Sequence, residues 1–160
     1  MRTKDLNIKD LLDVDPERGV VRFAGQPAII LDVVAMGLLR KQLVTALGPR
    51  AARAVLTRFA YAHGFRTAEA LSAEFTWDTE RDLRDAGGLV SALQGYLALS
   101  PDKDDPFSPR GATLISSYEV EQHILHLGRS DAPVCWTLAG FASGYLSCTE
   151  GRPIYVLEDR

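Results

Sequence analysis

The stretch VCWTLAGFASGYLSC, Val134–Cys148, constrains this chain more than any other. It carries no charge, and its small residues Ala139, Gly140, Ala142, Ser143 and Gly144 permit close approach of another backbone. The stretch reads as a buried helix. It also holds both cysteines, Cys135 and Cys148, and two cysteines make no disulfide framework in 160 residues. The default reading is a cytoplasmic protein with reduced thiols.

The chain can build a core around such a helix. Its hydrophobic content of 46% and charged content of 24% are those of an ordinary globular protein, and its length fits one domain. A net charge of −3 gives no basic surplus of the kind nucleic-acid binding leaves. The start, MRTKDLNIKDLLDVDPERG, has no apolar run of signal-peptide length, and no later run approaches a membrane span.

The pattern predicts a hairpin over LLDVDPERGVVRFAGQPAIIL, with strands at Val20–Phe23 and Ala28–Leu31. Asp32 caps a helix over Val33–Leu47, and Gly48–Pro49 ends it while starting another, from Arg50 to about Phe75. In that second helix Ala52, Leu56, Phe59, Ala60 and His63 share one stripe, which makes His63 a hydrogen-bonded core residue. A third helix is expected over Thr79–Leu97, with Leu83, Val90, Leu93 and Leu97 inward and Gly87–Gly88 weakening its middle. SPDKDDPFSPRG is a plain loop, ATLIS a short strand, Ser117–Leu127 a helix and RPIYVLE a closing strand. The fold class is α+β, helices packed on a mainly antiparallel sheet.

Three constellations bear on chemistry. Cys135 with His123 or His126 as base and Asp131 as orienter has the residue types of a thiol nucleophile, but no nucleophile turn accompanies them. No catalytic residue is assigned. His123 and His126 lie three apart on a predicted helix, with Glu119 on the face of His123, yet a zinc site needs three or four ligands. Asp102, Asp104 and Asp105 lack EF-hand spacing and read as a solvated turn.

FRTAEAL, SSYEVEQHILHLG and APVCWTLAGFASGYLSCTEGRPIYVLEDR together resemble a known family. It is the signal-reception domain of sigma-54-dependent activators of aromatic catabolism, the XylR/DmpR type, in which an N-terminal portion is fused to a 4-vinyl-reductase-type module. The resemblance runs from about Gly19 to Arg160 and is strongest after Ser117. It implies a 4-vinyl-reductase-like ligand-binding fold, a homodimer and a small aromatic or apolar effector. It also implies control of a following AAA+ ATPase, which this chain lacks, with no direct nucleic-acid or membrane contact. Residues 1–48 would form a dimerisation hairpin and helix, and 49–160 the ligand-binding module, ending before its last cysteines. The piece IKDLL and its hairpin would have little to pack on within one such domain.

The resemblance also implies a metal. Phenol-sensing members hold a structural zinc with the cysteine of PVCW, a glutamate in the last strand and two further cysteines. Cys135 and Glu158 match the first two positions, 23 residues apart, and the next cysteine would fall just past Arg160. Zinc is thus expected in a longer chain and partial or absent with this incomplete pair. Cys148 matches no ligand and reads as core.

The implied effector pocket departs from the phenol pattern. Ser91 stands where those members have a histidine, and Leu114 where they have a tryptophan. Phe141 and Tyr145 keep aromatic rings, and Val90, Leu93 and Ala112 complete the implied lining. Weaker hydroxyl recognition and a less polar effector are expected. The rival reading is a non-catalytic structural or adaptor module whose pocket is filled by its own side chains. A cavity of several hundred Å³ between Val90, Leu114 and Phe141 would favour the sensor.

Overall fold

The structure, a computed structural model, describes residues 1–99 and 114–158. After a short turn of helix at Thr3–Asp5, helix α1 (Ile8–Leu11) leads into three antiparallel strands: β1 (Leu12–Asp15), β2 (Val20–Phe23) and β3 (Gln26–Ala28). β2 is central, with Leu12 opposite Phe23 and Val21 opposite Ala28. Ala24 and Gly25, both at positive φ (48° and 72°), close the β2–β3 hairpin in the manner of a type I′ turn. Pro27 is tolerated because β3 is an edge strand. The expected strand over Ala28–Leu31 is therefore displaced toward Gln26, and β1 joins the sheet ahead of it.

Helix α2 (Val33–Leu47) begins at Asp32, whose carboxylate accepts from the amide of Ala35 at 2.8 Å. Gly48, at φ 78°, ends it and opens the long helix α3 (Pro49–Glu74). Thr79 caps α4 (Glu80–Leu93), which stops short of Leu97 because the chain turns through Gly95 at φ 79°. Leu97 belongs instead to strand β4 (Leu97–Leu99), paired antiparallel with β5 (Leu114–Ser117). Ser117 caps α5 (Tyr118–Leu127), and α6 (Trp136–Thr149) follows. The expected loop SPDKDDPFSPRG and Ala112 lie outside the described residues.

α3 and α6 form the centre of the molecule, packed along their lengths. Small residues let them approach. A Cβ on Gly64 or Gly144 would overlap the backbone carbonyl of Phe141 or Tyr61 respectively, and one on Gly140 would overlap that of Thr57. On α4, Gly87 is covered by the Tyr145 ring, 2.6 Å from where a Cβ would stand. The cost of that glycine in helix propensity is thus offset by the burial of an aromatic ring. The main core joins Leu71, Ala86, Val90, Phe141 and Tyr145 to Leu6, Leu11 and Ala24. The N-terminal piece therefore does have something to pack on, contrary to expectation: Leu11 is 2% exposed, held against the core of its own chain.

The closing segment is not a strand. Residues 153–158 pair with no sheet strand. The amides of Ile154 and Val156 instead donate to the hydroxyls of Ser147 and Ser143, each at 2.8 Å. Serines one helical turn apart lie ~6 Å apart along the axis. Alternate amides of an extended chain repeat at ~6.6 Å, so the two periods match.

Candidate functional site

An aromatic cavity lies where α2, α3, α5 and α6 meet the end of α4. Met36 and Phe59, Ala60 and His63, Tyr96, Tyr118, and Thr137, Leu138 and Phe141 line it. The His63 ring stands edge-on to Phe141 (centroids 5.2 Å apart) and to Tyr96 (6.2 Å), and Tyr96 leans on Tyr118 at 5.5 Å. Phe141 in turn stacks on Tyr145 at 6.1 Å. These rings leave about 10 Å³ of free volume, room for a single water molecule. A six-membered ring would enter only if lining side chains turned aside. Met36, unbranched and partly exposed, and Phe59, 58% exposed, are the two that can move with least loss of packing.

The polar groups around this space are few. His63 is not the hydrogen-bonded core residue its stripe suggested, since its imidazole makes no hydrogen bond among the described residues and its partners are aromatic. Burial lowers its pKa below the ordinary 6.5, keeping the ring neutral. Tyr118 and Thr137 share a hydroxyl–hydroxyl hydrogen bond of 3.0 Å, and burial raises both Tyr118 and Tyr96, which stay protonated.

Among the described residues of the sequence-derived pocket set, only Phe141 lines the cavity. Val90 and Tyr145 are buried in the core behind it, the Tyr145 hydroxyl donating to the Leu83 carbonyl at 2.6 Å. The Ser91 hydroxyl donates to the carbonyl of Gly87, one turn back on its own helix, at 2.9 Å. Leu93 packs at the edge of that core, and Leu114 is half-buried on β5. Met36, His63, Tyr96 and Tyr118 were missed as lining. The stripe on α3 was a signal for His63, but nothing local in the sequence joins Tyr96 to Tyr118, whose meeting is made by the β4–β5 pair. Phe59, expected inward, faces largely outward.

Behind Tyr118 and Thr137 lies a buried polar network. Glu119, 1% exposed, accepts from the Thr137 amide at 3.0 Å and the Leu138 amide at 2.9 Å, so its charge sits on the N-terminus of α6. Arg40 of α2 reaches the same carboxylate at 2.6 Å, donates to the Val134 carbonyl at 2.6 Å and lies over the Trp136 ring at 4.0 Å. Burial pushes the Glu119 carboxyl upward against the pull of these donors. One residue thereby ties α2, α5 and α6 together.

Cys135 and Glu158 also come together. The Glu158 carboxylate accepts from the Cys135 backbone amide at 2.8 Å, and the thiol lies 3.7 Å from the Ser117 hydroxyl. Burial, with the carboxylates of Glu158 and Glu119 nearby, pushes the Cys135 thiol up to about 12. A thiol so held stays in its neutral, protonated form. The pair supplies half of a tetrahedral donor set, and no group of three or more His, Cys, Asp or Glu side chains suited to a metal forms among the described residues. Among the described residues, this pair by itself does not make up the four donors of a zinc site. His123 turns its ring edge-on to Trp136.

Comparison with known proteins adds to this geometry. A sequence model of a family described as activator of aromatic catabolism matches residues 7–104. The phenol regulator MopR of Acinetobacter guillouiae is 31% identical over 162 aligned residues, covering 95% of this chain and 29% of MopR. The transcriptional regulatory protein XylR of Pseudomonas putida is 29% identical over 146, covering 88% and 26%. Among solved structures, the phenol-responsive sensory domain of the transcription activator PoxR, crystallised with phenol, superposes with a TM-score of 0.81 at 28% identity. That match covers 92% of this chain and 76% of the other. The chain thus spans less than a third of the length of the two regulators. Among the described residues no helix is long and apolar enough to cross a membrane.

Proposed function

The chain belongs to the family of activators of aromatic catabolism, and on that premise we propose that it senses a small aromatic effector in the cavity walled by His63, Tyr96, Tyr118 and Phe141. The observation that carries the reading is the ring cluster itself. Four aromatic rings from three helices and a turn converge on one buried space with a neutral imidazole on its wall. Offset and edge-on ring contacts are worth ~0.5–1.5 kcal/mol each beyond area burial, and an entering aromatic replaces one set by another. The domain performs no catalysis. Its output passes through a dimer partner and a following AAA+ ATPase of a sigma-54-dependent activator.

Dimer formation is supported by the apolar surface at the N-terminal side. Ile29 (79% exposed), Ile30, Leu31, Val33 and Val34 fall within one short stretch broken by Asp32 alone, and all are open to solvent. Zinc belongs to this reading only for a chain supplying two more donors beside Cys135 and Glu158.

The free volume of about 10 Å³ favours a second reading, an adaptor on the same fold with a self-filled interior. Native mass spectrometry with titrated phenol and toluene separates the two and reads zinc and dimer in the same spectra. A sensor gives one bound aromatic per chain at micromolar to millimolar ligand. Absence of binding up to the solubility limit of both ligands would leave the adaptor.

A further inference from the structure

The cavity has a neighbour that the effector reading does not use. Met36, Tyr118 and Thr137 line both the aromatic cavity and a second chamber, whose other walls include Gly37, Arg40, Glu119 and Gln122. This chamber also has about 10 Å³ of free volume. Its polar atoms are not all satisfied. Arg40 is 4% exposed and Gln122 7%. Their side-chain atoms Nε of Arg40 and Oε1 of Gln122 are buried with no hydrogen-bond partner among the described residues. Buried polar groups left unpaired cost ~1–3 kcal/mol each, so two on residues that line one chamber mark a place where something polar belongs.

The chemistry of that group follows from the walls. Arg40 Nε offers a hydrogen and the Gln122 amide oxygen accepts one, so the occupant must both accept and donate. It must also be uncharged. Arg40 is already neutralised by Glu119 at 2.6 Å, and a carboxylate or phenolate would meet the Glu119 anion in the same chamber. It must be no larger than water. A hydroxyl meets all three conditions, whichever way the Gln122 amide is turned. Gly37 is part of the arrangement: a side chain there would overlap Gln122, whose amide lies on the bare α2 backbone.

We propose that the Arg40–Gln122 chamber is the polar subsite of the effector cavity, taking the neutral hydroxyl of an aromatic alcohol or phenol whose ring lies among His63, Tyr96 and Phe141. The inference rests on the effector reading above and refines it. Hydroxyl recognition, weak at Ser91 because that hydroxyl is engaged by Gly87, is supplied from α2 and α5 instead. The less polar effector expected from sequence is thereby replaced by a hydroxylated one. Met36, common to both chambers, is the side chain that must swing to join them.

Phenol and toluene are nearly isosteric and differ in the hydroxyl, so their calorimetric titration into the 160-residue chain and its Gln122→Met and Gln122→Leu variants tests the assignment. Both variants remove the amide, and thermal melts show which retain the fold. Phenol should bind the unmodified chain about fivefold to tenfold tighter than toluene. The variants should lose that margin while binding toluene within about twofold of the unmodified chain. Phenol affinity unchanged in a folded variant, or lost in parallel with toluene, would overturn the subsite and mean that the chamber holds a water only. Toluene binding tighter than phenol to the unmodified chain would overturn it too, leaving the aromatic effector intact. Neither ligand binding at all would remove the effector reading and the subsite with it.

Discussion

The α3–α6 pair and the N-terminal side of α2 are both rich in apolar residues, yet they meet opposite fates. Along α3–α6, Ala52, Leu56, Ala60, Phe141 and Tyr145 are all under 5% exposed, and glycines bring the two backbones together. Along residues 29–39, Ile29, Ile30, Val34, Leu38 and Leu39 stay 45–79% exposed, and α2 turns inward the charged side chain of Arg40 beside the partly buried Leu43 and Val44, which pack on Ala52, Leu56 and Trp136. Apolar composition therefore does not by itself say what a segment packs on. In one region the partner is the same chain, bound by shape. In the other a polar network and a smaller apolar cluster anchor the chain, and much of its apolar side stays exposed.

The largest test of that contrast is Glu119→Ala. It leaves Arg40 buried without its anion and two α6 amides without their acceptor, and should cost ~3–5 kcal/mol in urea denaturation. A loss below ~1 kcal/mol would mean that Arg40 escapes to water and that α2 is held by other contacts. Next in size is Gly144→Ala on the shape-bound side. The added Cβ meets the Tyr61 carbonyl, a backbone atom that cannot turn away, so ~1–3 kcal/mol is expected from helix separation. A neutral outcome would show that the pair is looser than its glycines require.

A smaller effect comes from pH. Burial depresses the folded pKa of His63, so the unfolded chain binds a proton more readily than the folded one. That contribution to stability is present in full above the ordinary value of 6.5 and is lost as the pH falls from there toward the folded value. Melting temperatures between pH 7.5 and 5 should therefore fall less in His63→Phe than in the unmodified chain. Equal slopes would place the titration elsewhere, His123 being shifted in the same direction by burial and Arg40.

The smallest effect on the monomer is expected from Ile29→Ser with Ile30→Ser. Exposed residues away from structural features change stability within about 0.5 kcal/mol. The same pair of substitutions should shift sedimentation at micromolar concentration toward the 17.5 kDa species. A 17.5 kDa species alone before substitution would remove the dimer from the proposal.

Much of this was readable in advance, and what failed did so for a common reason. Helix limits at Asp32, Gly48–Pro49 and Ser117 follow from caps and breakers, which act over three or four residues. The burial of Val134–Cys148 follows from its absence of charge and its small residues. The end of α4 was set too late because Gly95 in a left-handed turn outweighed the continuing apolar spacing. RPIYVLE alternates as a strand does, yet its amides found serine hydroxyls on a helix. Phe59 sits on the apolar stripe but beyond the edge of what α6 covers.

The candidate site divides in the same way. From the sequence alone came the class of fold and the family resemblance, and the resemblance in turn implied Cys135 with Glu158 and a lining place for Phe141. These rest on periodicity, composition and matched motifs, which a linear chain carries in full. Only the tertiary structure decided that His63, Tyr96 and Tyr118 share a cavity, that Ser91 spends its hydroxyl on its own helix, and that Arg40 meets Glu119 across 79 residues. Those outcomes depend on which groups are left unpaired once helices have docked, a competition among side chains far apart in sequence that no local pattern records.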